Sequence, residues 1–378
     1  MTALASRDAE IIVIGGGLVG TAIAYGLARR GCKPLVLDGG DRDIRAARVN
    51  FGIVWVQGKG PGMPAYQRLT RLSSDLWPDF ARELSTLTQI GLDYRRTGGL
   101  TFCLGADEYA ARAATVQRMS EEFGESTYDT EMIERAVVER LLPDLRLGQD
   151  VVGAVHCGRD GEVNPLRLLY ALQTALTALG GTIIGDETVA SITPGTRSFT
   201  LTTATHQYHA PKLILAAGNG TRELAQHVGL DIPMRPQRGQ LLVTEKLAPM
   251  FPLPTVPLRQ TAEGGILIGS TQEEVGFDTG TNIAGAGGMA ERACRILPSL
   301  ENVNIVRHWA GLRVMTPDGH PIYVQSPTHP GAYVTICHSG VTLAAAHALD
   351  IADALMSDAI PDRLQPFHPD RFHVSHAA

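Results

Sequence analysis

Residues 11–20, Ile11-Ile12-Val13-Ile14-Gly15-Gly16-Gly17-Leu18-Val19-Gly20, decide the fold. Four consecutive β-branched apolar residues predict a strand buried on both faces, and the glycines after it predict a turn into a helix over 18–30. Gly15 permits the tight turn, Gly17 leaves room for a pyrophosphate, and Gly20 lets the helix pack on the strand. The free amides of the helix start then point at the phosphates. Pro34-Leu35-Val36-Leu37-Asp38 reads as a second strand ending in a carboxylate. That carboxylate, about 20 residues beyond the glycines, accepts hydrogen bonds from ribose hydroxyls and repels a ribose phosphate, which disfavours NADP. Three glycines in a turn without a ligand are the competing reading; the ordered strand, helix and acid outweigh it. FAD and NAD both use this half-site, so the motif by itself leaves them open.

Working outward, a Gly/Lys/Pro-rich stretch at 57–64 interrupts the chain, and 66–85 and 106–123 have helical spacing with charged outer faces. Tyr94 to Leu104 reads as a pair of short strands around Gly98-Gly99. Residues 163–180 read as a helix opened by Asn164 and Pro165, and 182–218 alternates as short strands. Apolar runs at 241–244 and 266–268, between proline- and glycine-rich turns, predict a mainly antiparallel sheet. After the glycine-rich 284–288 the chain finishes in a helix over 341–356. The fold class is therefore α/β (α+β): a Rossmann-like nucleotide-binding domain with an interleaved substrate domain built on a mainly antiparallel sheet. The expected division is 1–85, 150–230 and 305–378 for the former, and 86–149 and 231–304 for the latter.

A chain of 378 residues exceeds one ordinary domain, and 44% hydrophobic with 19% charged residues describes a folded protein. A net charge of -6 offers no basic field for a polyphosphate backbone, so nucleic-acid binding is excluded as a reading. Cys32, Cys103, Cys157, Cys294 and Cys337 lie far apart, without the close spacing of a zinc or iron–sulfur site. No metal is expected, and a reducing compartment fits. No apolar run precedes the first strand, and none reaches the roughly 20 residues of a membrane helix. The expected location is cytoplasmic, with association at the inner face of the membrane through partners left open.

Later segments carry a resemblance. Leu213-Ile214-Leu215-Ala216-Ala217-Gly218-Asn219-Gly220, Pro236-Gln237-Arg238-Gly239-Gln240, Ala310-Gly311-Leu312-Arg313 with Thr316-Pro317-Asp318-Gly319, and His338-Ser339-Gly340-Val341-Thr342-Leu343 occur in order. Together they resemble flavoproteins of the D-amino-acid oxidase and glycine oxidase family over nearly the whole chain. Asn50-Phe51-Gly52-Ile53-Val54-Trp55-Val56-Gln57-Gly58-Lys59-Gly60 looks most like the β subunits of FAD-dependent opine (octopine, nopaline) oxidases and D-hydroxyproline dehydrogenases. Hydrogen cyanide synthase is also similar. The resemblance implies FAD as cofactor and oxidation of a secondary-amine amino acid by hydride transfer to the flavin. It further implies partners: a larger α flavoprotein subunit and a small subunit carrying any iron–sulfur cluster. An oxygen-using glycine, sarcosine or D-amino-acid oxidase, and a noncatalytic electron-transfer flavoprotein subunit, are the alternatives.

The same resemblance implies the site. Gly15, Gly17, Leu18, Val19, Gly20, Asp38 and Gly39 would hold the adenosine half of FAD, and Ala47, Arg48, Asn50 and Gly52 would lie along the flavin. For Ala47 and Arg48 an ordinary loop is nearly as good a reading. Val189, Ala217, Gly218, Gly311 and Arg313 would complete the contacts, with Ser339, Gly340, Val341 and Thr342 at a helix start whose amides stabilise charge on the reduced flavin. Arg313 matches the family's carboxylate-binding arginine, a planar fork suited to a carboxylate; a structural pairing with Asp318 is the competing role. His338 stands where relatives carry an arginine, and reads equally as substrate contact, amine base or structural residue. Gln57 and Arg259 are further expected substrate contacts, Arg259 as a second carboxylate clamp.

Two departures favour a dehydrogenase with noncovalent FAD. Leu267 stands where monomeric sarcosine oxidases carry an oxygen-activating lysine, and Gly311-Leu312, rather than a flavin-linking cysteine, precede Arg313. Lys59, in the loop near the expected flavin, reads as a solvated surface lysine with assistance to oxygen as the alternative, and Glu273-Glu274 reads as a solvated turn rather than a selector of basic side chains.

Overall fold

A computed structural model describes residues 4–40, 45–124, 128–357 and 360–372. Ile11–Ile14 lies inside a six-stranded sheet ordered Ile322–Gln325, Ala332–Ile336, Lys212–Leu215, Ile11–Ile14, Leu35–Leu37, Thr182–Ile184. Neighbours run parallel except at the edge, where Ile322–Gln325 is antiparallel to Ala332–Ile336. All four residues of Ile11–Ile14 are buried, as a strand covered on both faces requires.

One side of this sheet carries the helices Leu18–Arg29 and Pro165–Ala178 and the last helical run of the chain. The expected Asn164 cap forms, its side chain accepting from the amides of Leu166 and Arg167 at 3.2 and 3.3 Å. The last run is helical only from Ala344, and passes through a π turn at His347–Ile351 before Ala352–Met356. Residues 341–343, expected to open that helix, form a turn instead. A Cβ on Gly26 would overlap the carbonyl oxygen of Ala348, so glycine alone lets these two helices cross so closely. On the other side, Phe199, Leu201 and Tyr208 from a four-stranded sheet share a core with Ile12, Leu37 and Leu213.

The second part is built on two further sheets. Leu258–Gln260, Gly265–Gly269, Arg235–Lys246 and Ile305–Met315 are antiparallel throughout. Thr255–Val256, Gly99–Leu104, Val151–Cys157 and Thr130–Glu134 form the other, parallel only at its first pair. Leu100, Phe102, Leu242, Leu258 and Ile266 fill the space between them. Val151–Cys157 and Ile305–Met315 therefore belong to these sheets, which departs from the expected boundaries at 150 and 305. Local pattern identifies a strand, whereas the sheet it joins is chosen by long-range pairing. The expected strand pair at 94–104 reduces to Gly99–Leu104, with Arg95 making a single bridge to Glu162. Among the described residues no helix is long and apolar enough to cross a membrane.

Candidate active site

The fingerprint turn is shaped as its glycines require. Gly15 adopts φ 109°, and a Cβ there would overlap the carbonyl oxygen of Ala216; at Gly20 it would overlap that of Gly15. No side chain caps the helix Leu18–Arg29 at Gly17, so its first-turn amides are left for a ligand. Asp38 is anchored beside this turn, accepting from the Gly16 amide at 2.6 Å and the Gly40 amide at 3.0 Å and pairing with Arg45 at 2.9 Å. A cavity of about 470 Å³ opens here between Gly16, Gly17, Asp38, Arg45, Ala47 and Arg48. An uncapped helix end, a close-approach turn and an anchored carboxylate fit the adenosine diphosphate of FAD. Gly39 packs against Thr188, and Val189 sits in the apolar core beside Leu37.

Three loops converge next to that turn. In the first, Asn50 donates to Ala47 O at 3.0 Å and accepts from the Gly52 amide at 2.9 Å, while Gly52 adopts φ 76°. A Cβ on Gly52 would stand 2.6 Å from Val163 O, so the loop passes this point only as glycine. In the second, Thr342 Oγ1 accepts from the Trp55 amide at 3.1 Å, and Thr342 O accepts from Ser73 Oγ and Trp77 Nε1 at 2.7 and 2.9 Å. Gly340 packs on Val19 and Leu18, which joins the carboxy-terminal turn to the fingerprint helix. The third is the turn Ala217-Gly218, with Gly218 at φ 57° against Val314.

The antiparallel sheet closes the site. Its register pairs Gln237 with Arg313, Gly239 with Gly311, Leu241 with Trp309 and Val243 with Arg307, which puts these residues on one face. Gly311 lies against Val49, where a Cβ would overlap Val49 Cγ2, so the loop before Asn50 rests directly on the strand. Arg313 donates to Gln237 Oε1 at 3.4 Å, Arg238 O at 3.3 Å, Thr271 O at 2.9 Å and Ser270 Oγ. All four acceptors are neutral. The alternative pairing with Asp318 does not form: that carboxylate takes Arg371 at 2.8 Å. A guanidinium fixed by neutral oxygens keeps its charge available for an anion.

His338 is exposed. Enclosure by the surrounding protein, then repulsion from Lys59 and Arg313, pushes its pKa below the ordinary histidine value. The imidazole is therefore neutral at pH 7, and a weaker proton acceptor than a free histidine.

Other expected contacts are placed differently. Gln57 is buried, its amide donating to Gly99 O at 3.2 Å and Asp160 Oδ2 at 2.5 Å, so it braces the loop instead of facing a substrate. Arg259 is also buried, and donates to Glu162 Oε2 at 2.8 Å, Phe51 O at 3.0 Å and Val163 O at 3.2 Å. It borders a cavity of about 880 Å³ with Asn50, Leu267 and Trp309, but its charge is balanced by Glu162 rather than left for a carboxylate. Arg313 and His338 are not among the walls of that cavity. Glu273 is held by Arg238, Gln240 and Thr271, and Glu274 by Arg235. Lys59, read as a surface residue, turns inward and donates to Ser339 Oγ at 2.7 Å. Asp160, which sequence reasoning missed, is wholly buried under the loop and accepts from the Val56 amide at 2.6 Å. A lone Asp in a glycine-containing turn carries no local signal of that role.

The fold and the nucleotide turn together define a flavin-dependent oxidoreductase. Residues 10–354 match the FAD dependent oxidoreductase family, DAO, and the chain belongs to it. It is similar along its whole length to two opine oxidase B subunits. That of Agrobacterium tumefaciens is 40% identical over 371 residues, covering 98% of this chain and 99% of the relative. That of Rhizobium meliloti is 39% identical over 370 residues, with the same coverage. Among solved structures, glycine oxidase from Geobacillus kaustophilus superposes with a TM-score of 0.86 at 23% identity, covering 98% of this chain and all of that one. The chain is an FAD-dependent oxidoreductase of amino-acid-like substrates.

Proposed function

We propose that this chain is the catalytic FAD subunit of an opine-oxidising enzyme, acting on a secondary-amine amino acid and passing electrons to partner subunits. The observation that carries the reading is Arg313: a fixed cation with only neutral partners, on the sheet face that meets the loop before Asn50. The full-length likeness to two opine oxidase B subunits supports the substrate class and a multi-subunit assembly.

In this reading Gly15, Gly17, Gly20 and Asp38 hold the adenosine half of a noncovalent FAD, which supplies the hydride acceptor when bound. Arg313 grips the substrate carboxylate through parallel N–H donors and orients the α-carbon. His338, neutral at pH 7, accepts the ammonium proton, so that the nitrogen lone pair drives departure of the α-hydrogen as hydride. The C–H bond breaks, a C=N bond forms, and water hydrolyses the imine to a keto acid and an amine. With D-hydroxyproline the product stays cyclic. Any iron–sulfur cluster belongs to a partner subunit, since the five cysteines are unpaired and dispersed.

Anaerobic addition of an opine to the yellow purified chain should bleach its flavin. Bleaching by D-hydroxyproline alone would move the substrate class, rapid reoxidation by air would favour an oxidase, and inertness toward every amino acid tested would favour a noncatalytic subunit.

A further inference from the structure

The inward turn of Lys59 brings a second cation to bear on His338, beside Arg313. Ser339 is buried, and its hydroxyl oxygen accepts from Lys59 Nζ at 2.7 Å and from Tyr66 OH at 2.8 Å. Both lone pairs of that oxygen are then engaged, which fixes the ammonium and leaves two of its three N–H groups for another acceptor. Ser339 follows His338, and Lys59 and Arg313 both bear on the His338 ring.

The charge around these three residues does not balance. Among the described residues no carboxylate is within ion-pairing distance of Lys59 or Arg313. The acid that attracts Lys59 is Asp160, already held by the Val56 amide and Gln57; the one that attracts Arg313 is Glu273, already held by Arg238. The Cys337 thiol is pushed up to about 12 by burial, and His320 and His338 are both lowered, so none of the three brings a counter-charge at pH 7. Lys59 and Arg313 are partly buried, and burial lowers the pKa of each, a cost that an anion beside them would offset.

We propose that Lys59 holds the second carboxylate of a substrate whose one secondary amine is flanked by two carboxylates, with Arg313 holding the first. The inference rests on the opine reading and sharpens it, since an opine carries its carboxylates on the carbons either side of the nitrogen. Two anionic groups meet two cations, and the nitrogen between them meets a neutral base. It also reassigns the role expected of Arg259, whose charge Glu162 already balances. Lys59 is a specificity-determining residue here, selecting dicarboxylates over monocarboxylates.

The test uses the FAD-loaded protein and two unreactive thioethers, thiodiacetate and (methylthio)acetate, which differ by one carboxylate. Calorimetry and flavin absorbance titration give their affinities for wild type, Lys59→Met and Lys59→Arg. A lost charge-assisted contact predicts that Lys59→Met weakens thiodiacetate by about 10- to 100-fold and (methylthio)acetate by less than about threefold, with Lys59→Arg recovering most of the loss. Equal weakening of both ligands, no weakening of either, or a wild type that does not prefer thiodiacetate would overturn the assignment. If Lys59→Met loses FAD, Lys59→Gln repeats the comparison. Turnover of an N-(1-carboxyethyl) amino acid is scored separately: a wild type that binds thiodiacetate through Lys59 yet oxidises no such substrate rejects the opine reading and not the carboxylate site.

Discussion

The guanidinium of Arg313 lies across Gly239, where a Cβ would stand 2.6 Å from Nη2 and 2.7 Å from Cζ. A glycine on the neighbouring strand is what allows the arginine to lie flat over the sheet and reach Thr271 O. Gly239→Ala should therefore displace the end of a flexible side chain and leave the backbone intact. The expected result is KM raised about tenfold, equivalent to about 1.4 kcal/mol, with little change in Tm. Steady-state kinetics beside a thermal melt decide it, and an unchanged KM would show that Arg313 does not position the substrate.

Arg259→Met separates a structural role from a binding one. The Arg259–Glu162 pair is buried on both sides, and removing one partner strands a charge, at a cost of about 3–5 kcal/mol in such pairs. Arg95, half-exposed on the other side of Glu162, reduces that cost. A Tm lower by several degrees is expected, with loosened FAD because Arg259 also holds Phe51 O. A stable variant defective only in KM would restore the substrate clamp.

Asp160 imposes a pH dependence of stability. Burial raises its carboxyl from 3.8 to about 7, against the pull of bonds from Val56 and Gln57. Between pH 4 and 7 the native chain holds a proton that the unfolded chain has released, so the unfolding free energy falls as pH rises through that window. Above about 7 the loss is complete. Melts at pH 5 and 7.5 should show this fall in wild type and less of it in Asp160→Asn; identical slopes would mean that Asp160 is already ionised at pH 5.

Asp38→Ala removes the acceptor for Gly16 N and Gly40 N and the partner of Arg45. Losing one charge-assisted hydrogen bond to a ligand corresponds to FAD released about 10- to 100-fold more readily. Fluorescence of freed FAD on dilution measures it, and an undiminished affinity would remove Asp38 from the nucleotide site.

His338 carries a kinetic signature. Its depressed pKa keeps the ring neutral through pH 7, so a His338-linked acidic break in kcat should fall below 6.5. His338→Ala should abolish that break and lower kcat by about 10²-fold or more, the range of a lost general base. A profile indifferent to the substitution would leave the ring structural.

How far these roles were legible depends on how local their causes are. Ile11–Ile14, the glycine turn, Asp38 and the Asn164 cap were readable because each is enforced by residues within one element or its immediate crossover. The mainly antiparallel second sheet was readable from its alternation and turns. Its membership was not, since nothing within Val151–Cys157 says that it pairs with Gly99–Leu104.

By itself, then, the sequence determined a nucleotide-binding crossover, an interleaved antiparallel part and, through ordered motifs, an FAD-dependent oxidoreductase. Tertiary structure alone decided which charges are spent and which are left over. Arg259 meets Glu162 across 97 positions and Phe51 across 208, Lys59 meets Ser339 across 280, and Gln57 meets Asp160 across 103. Electrostatic balance is a property of neighbours in space, and such neighbours leave no period or spacing in the chain.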